Sequence, residues 1–182
     1  MSAEQEKLYT VDEFYEMYDE TNARIELIDG RVVMQTAPTL THQTIVGGLH
    51  SELLVFIRKN KGKCRAFVSP VDVRLDKYTN VQPDVLVVCD PSKFDGNKRI
   101  TGAPDFVVEV VSSDTLRDYR RKLTIYQKFG VREYWIVDPD EERTTVYLFG
   151  DPVNVGFYDF DKPVPVGIFG GELCITVRNL IV

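Results

Sequence analysis

Residues 104 to 115 read PDFVVEVVSSDT, an apolar, β-branched run of the kind that makes a strand covered on both faces, with Glu109 set inside it. An ionised carboxylate taken out of water costs several kcal/mol even after relaxation, on the order of a modest domain's whole stability margin. Glu109 therefore requires compensation. Three kinds are open: a basic side chain, a raised pKa, or a bound cation. Any fold this chain adopts must put one of them beside that strand.

The pattern around the run is mixed. TVDEFYEMYDE predicts a helix from about Val11, with Thr10 as N-cap and Glu13 completing a capping box. RIELIDGRVVM predicts a hairpin, because Asp29-Gly30 supplies the positive φ that a type I′ turn needs at both central positions. A longer helix is expected near Thr41 to Lys59, where Ile45, Leu49, Leu53 and either Phe56 or Ile57 recur at helical spacing. Three strands follow, in CRAFVSPVDVRL, DVLVV and DFVVEVV. A second helix spans about Thr115 to Phe129, with Leu116, Tyr119, Leu123 and Tyr126 on one face and Gly130 as its stop. REYWIVD supplies a further strand. Beyond Asp138, turn signals at Asp138-Pro139, Gly150-Asp151-Pro152 and Gly170-Gly171 predict β-hairpins, read as a peripheral extension. The expected fold is α/β, a mixed sheet with flanking helices. Helix, three strands, helix and strand form its core, with an N-terminal helix and hairpin and a C-terminal β extension. At 182 residues the prior is a single domain over 1–182, with a core of about 9–138 and an extension of about 139–182.

Composition narrows the classes of function. No stretch approaches the roughly 18 apolar residues of a membrane span, and MSAEQEKLYT carries no apolar leader, so a cytoplasmic address is expected. Cys64, Cys89 and Cys174 form no CxxC pair and His42 and His50 are the only histidines, which speaks against structural zinc. Three free thiols in a reducing compartment are the expectation. A net charge of −6 argues against a generic nucleic-acid binder, yet the charge is uneven. Residues 58–65, RKNKGKCR, hold five bases and no acid, and residues 98–132 hold eight bases against four acids. Taken alone, such runs are ordinary solvated surface.

Asp84 follows Pro83 at the head of one predicted strand, and Glu109 lies in the next, so the two carboxylates can converge at one end of a sheet. Like charges in a dry site do not both stay ionised without a cation between them, and hard oxygen ligands suit Mg2+ or Mn2+. The alternative is structural: Asp84 ends a turn and Glu109 pairs with an arginine of the following helix.

QPD at 82–84 and VEV at 108–110, followed by a basic helix, resemble the PD-(D/E)XK nuclease superfamily. Within it the chain is similar to the compact bacterial proteins called putative restriction endonucleases. The likeness runs from about Tyr9 to Asp138 through YTVDEF, IELIDGRVV, THQTIVGGL, QPDVLVV, FVVEVVSSDT and RKLTIYQKFGVREYWIVDP. It implies a restriction-endonuclease-like fold and metal-assisted cleavage of a phosphodiester, with Asp84, Glu109 and the Val110 carbonyl holding Mg2+ or Mn2+. One position departs from the superfamily motif. Lysine is due two residues after the glutamate, where this chain has Val111; the resemblance moves that lysine to the following helix, at Lys122. Period 3.6 sets Lys122 beside Tyr119 and Tyr126, so its stem can carry the ammonium towards Glu109, while Arg120 and Arg121 point elsewhere.

Glu26 is a third candidate acid for the metal, or else an exposed strand residue. His42, Asp72, Gln82, Ser112 and Asp118 are candidates to orient the ligands and Lys122. Arg58, Lys59, Lys61, Lys63, Arg120 and Arg121 are candidate phosphate contacts. Three readings stay open: an active endonuclease on DNA, working as a homodimer; a nuclease-like fold that binds nucleic acid or protein without cleaving, as Val111 allows; and an ion-pair core with no site.

Overall fold

In the computed structural model of the protein, the described residues are 7–18, 24–96, 98–112 and 116–181, the side chains of 116–119 excepted. The capping box closes at the start of α1 (Val11–Tyr18): the Thr10 N–H donates to Glu13 Oε2 at 2.8 Å and the Glu13 N–H to Thr10 Oγ1 at 3.2 Å. Strands β1 (Ile25–Ile28) and β2 (Arg31–Met34) pair antiparallel across the predicted turn, where Asp29 and Gly30 have φ of 50° and 77°. Gly30 is needed there twice over, since a Cβ would also meet Leu8 Cβ at 3.0 Å. Val11 and Phe14 of α1 bury against Ile25 and Leu27, which leaves Glu26 and Ile28 for the opposite face of the hairpin.

Helix α2 (Leu40–Lys59) starts from the N-cap Thr39, whose hydroxyl accepts from the His42 N–H. Then come β3 (Arg65–Val68), β4 (Val73–Arg74), β5 (Asn80–Val81), β6 (Val85–Val88), β7 (Phe94–Asp95), β8 (Arg99–Thr101) and β9 (Phe106–Val110). Helix α3 (Leu116–Phe129) and β10 (Glu133–Asp138) complete the expected core. The tail adds β11 (Arg143–Leu148), β12 (Asn154–Asp159), β13 (Pro163–Pro165) and β14 (Cys174–Thr176).

The central sheet runs β12-β11-β10-β9-β6-β3, with β9 and β10 parallel and the other neighbours antiparallel. Its interior strands β6 and β9 are buried at every position, as their valine runs require. Alternation splits their side chains between two layers. Val85, Val87, Phe106 and Val108 meet Ile45, Leu49 and Leu53 of α2, whereas Leu86, Val88 and Val107 meet Ile125 and Tyr126 of α3.

Three expectations are corrected. CRAFVSPVDVRL is two strands, because Pro70 has no N–H for the ladder and the chain leaves the central sheet after Val68. Its second part joins a second sheet, β2-β1-β5-β4-β8-β7, whose strands of two to four residues are too short to show periodicity. Cys64 and Cys89 form a disulfide, so the expectation of three free thiols fails and only Cys174 is free among the described residues. The antiparallel register explains the pairing: Arg65 faces Val88, and the next residues outward are the two cysteines. The tail is a β extension but not a peripheral one. β11 and β12 widen the central sheet, and Val164, Val166, Ile175 and Val177 enter the α2 side of its core. Among the described residues, no helix is long and apolar enough to cross a membrane.

Candidate active site

The site is a consequence of register. Val85 of β6 faces Val108 of β9, so one step outward Asp84 comes opposite Glu109, and residues opposed in an antiparallel pair share a face. That face is the one covered by α3. Period 3.6 turns Lys122 and Tyr126 towards it together, and both reach the same oxygen: Lys122 Nζ lies 2.9 Å from Glu109 Oε1 and the Tyr126 hydroxyl donates to it at 2.6 Å. Lys122 is buried at 7% exposure, which is possible only because a second carboxylate, Glu26 Oε1, stands 3.1 Å from the ammonium. Glu26, 1% exposed, arrives from the opposite face of the β1–β2 hairpin, and the Gln82 N–H donates to the same oxygen at 2.8 Å.

Asp84 is held by donors on both oxygens. Arg24 Nη2 is 2.8 Å from Oδ1, while His42 Nε2 at 3.0 Å and the Val110 N–H at 2.9 Å share Oδ2. Burial pushes the Asp84 carboxyl up, but the bonds from His42 and Val110 and the charge of Lys122 outweigh it, and its pKa falls below the ordinary value. Glu109 goes the other way. Burial, with the Asp84 and Glu26 charges, outweighs Lys122 and raises it to about 7. Lys122 loses from burial and gains more from Glu109 and Glu26, so it is held protonated well above the ordinary range. One ammonium among three carboxylates is firmly charged, and Glu109 is left short of positive charge.

The structure thus brings Asp84, Glu109, Glu26, Lys122 and His42 to one place. Glu109 pairs with the lysine of α3 rather than with an arginine of that helix, as the structural alternative had it. Asp72 lies one step back, accepting from Gln82 Nε2 at 3.1 Å and Asn80 Nδ2 at 2.8 Å. Ser112 is half-buried just past the end of β9. The side chain of Asp118 lies outside the described residues. The candidate phosphate contacts are dispersed. Arg58, Lys59, Lys61 and Lys63 are exposed at the end of α2 opposite to His42, roughly 24 Å along the helix at 1.5 Å per residue. Arg121 is engaged with Ile28 O and Asp29 Oδ2 of the hairpin turn, and Arg120 is exposed.

Sequence reasoning missed two members. Tyr126 reads as one more apolar-face aromatic, although its spacing of four from Lys122 was the available signal. Arg24 gave no signal, since 60 residues separate it from Asp84.

A mixed sheet between α2 and α3, with two acids meeting at the rim of adjacent strands, is a restriction-endonuclease-like fold. The chain belongs to the Uma2 family, described as Putative restriction endonuclease, whose profile matches residues 11–175. Among solved structures it is similar to a putative nuclease belonging to DUF820 from Anabaena variabilis ATCC 29413. That likeness has 26% identity and a TM-score of 0.78, over 94% of this chain and 97% of the other. No protein of curated function matches the chain.

Proposed function

We propose that this protein is a Mg2+- or Mn2+-dependent endonuclease that hydrolyses phosphodiester bonds in DNA. Membership of the family and likeness to the nuclease support the class of activity. The single observation that carries the chemistry is the ammonium of Lys122 shared between Glu109 and Glu26, on the face where Asp84 opposes Glu109.

The residues fit a divalent cation. Among the described residues, no three His, Cys, Asp or Glu side chains form a ready cage, but a carboxylate pair with a main-chain oxygen suits a hard cation that keeps several waters. The hydrogen bonds to Glu109 and Glu26 fall on Oε1 of each, leaving Oε2 of both for another partner, and the rise of Glu109 to about 7 marks a shortage of positive charge. Asp84, Glu109 and the Val110 carbonyl would hold the ion, with Glu26 as third acid. When bound, the ion would supply an activated water and neutralise charge growing on the phosphorus centre.

The chain's own groups do the rest. Lys122, fixed as a cation, orients the attacking water and stabilises the transition state; its raised pKa makes it a poor proton acceptor at neutral pH. Tyr126 holds the Glu109 carboxylate in place, and His42 with the Val110 N–H does the same for Asp84. Duplex cleavage requires two such sites, for which a C2 homodimer is the simplest supply.

Purified protein should nick or linearise plasmid with Mg2+ or Mn2+, and Glu109→Ala or Lys122→Ala should abolish it. Cleavage that persists in either variant removes the assignment. Gel retardation of DNA with no cleavage in any metal favours a binding module instead.

A further inference from the structure

The guanidinium of Arg24 stands on Asp84 with half of one edge unused. Nη2 and Nε form the side-on edge that grips two oxygens of a phosphate; here Nη2 is 2.8 Å from Asp84 Oδ1, while Nε is buried without a hydrogen-bond partner. Neighbouring groups share the defect. Gln35, whose N–H donates to Arg24 O, has a buried Oε1 without a partner, and so have Gln82 at Oε1 and His42 at Nδ1. Buried polar atoms are paired in more than about 90% of cases, so unpaired atoms on both Arg24 and His42, the two side chains bonded to Asp84, indicate a place built for a polar ligand.

Charge says which ligand. When ionised, Asp84, Glu109 and Glu26 face two fixed cations, Lys122 and Arg24, a surplus of one negative charge. A divalent cation converts that surplus to one positive charge, the complement of a single phosphodiester. Without Arg24 the loaded site would be neutral.

We propose that Arg24 is the phosphodiester-binding residue of this site. Arg24 and a divalent cation compete for Asp84 Oδ1, and the guanidinium released by the cation takes the non-bridging oxygens of the scissile phosphate through its Nε and Nη2 edge. The inference rests on the metal-dependent reading above and adds the group that holds the substrate.

The test uses the full chain and two titrations: Mn2+ alone by calorimetry, and a fluorescein-labelled DNA duplex in Ca2+ by anisotropy. Arg24→Ala should bind Mn2+ about 3-fold or more tighter, having lost the competitor, and DNA about 10-fold or more weaker. A residue that merely braces the fold would weaken both, and that result overturns the proposal, as does an Arg24→Ala protein unchanged in either titration. Arg24→Lys decides the matter if the alanine variant fails to fold. Charge without the fork should leave Mn2+ binding within about 2-fold and weaken DNA by about 3-fold or more, and lysine binding DNA as well as arginine contradicts the proposal. Wild-type protein that binds no Mn2+ overturns the metal-dependent reading itself, and Arg24 with it. Wild type binding both, with no opposite shift in Arg24→Ala, overturns Arg24 alone.

Discussion

Lys122 carries more of this site's stability than any other side chain, because two buried carboxylates depend on it. Truncation to Met should cost about 3–5 kcal/mol, the usual result of stranding buried charge, read as a lower urea midpoint with unchanged slope. Tyr126→Phe removes a 2.6 Å donor to Glu109 and should cost about 1–3 kcal/mol by the same measurement. Glu109 makes the fold pH-sensitive in a definite direction. Its folded pKa, about 7, is raised from 4.5, so its ionisation opposes folding. That opposition is absent below about 4.5, grows as pH rises towards 7, and is constant above. Without metal, wild type should therefore lose stability from pH 5 to 7 relative to Glu109→Gln in paired urea melts, and parallel curves would contradict the shift. Glu109 announced itself by its apolar neighbours, and helical period together with the family likeness picked Lys122. Arg24 was hidden because a salt bridge spanning the chain leaves no local pattern.

Elements were legible wherever one face is buried over several turns or several strand residues. The capping box, the Asp29-Gly30 hairpin, α2 and the valine strands follow from periodicity, capping and turn chemistry that act within a few residues. The short strands of the second sheet are set by what they lie against, so their own sequences carry little signal. The tail shows how such context is fixed. Glu133 of β10 is fully buried and raised in pKa by that burial, yet it accepts from Trp135 Nε1 at 2.7 Å and from the Ile168 N–H at 2.8 Å. It therefore clamps the turn between β13 and β14 to the central sheet. Glu133→Ala would leave both donors without their acceptor and should cost about 2–4 kcal/mol. Hydrogen exchange should show the loss first in residues 163–177; a uniform loss across the chain would mean that the tail is not held through this carboxylate.

At the scale of the whole molecule, an acidic protein must present nucleic acid with local positive charge, and its densest basic run lies at the far end of α2 from the site. Replacing Lys59, Lys61 and Lys63 by Gln should lower DNA affinity and the salt slope, with cleavage at saturating substrate unchanged. A fall in saturated turnover would show that this run acts in catalysis rather than in docking. The Cys64–Cys89 disulfide joins the two strands beside that run, and the register that creates it was not readable from two cysteines 25 residues apart. The central claim is that Asp84 and Glu109 converge to hold a divalent ion. Its most direct measurement is a calorimetric Mn2+ titration of wild type and Glu109→Ala. The account predicts saturable binding to wild type that strengthens as pH rises through about 7, and none to the variant. Equal binding to both proteins would contradict it.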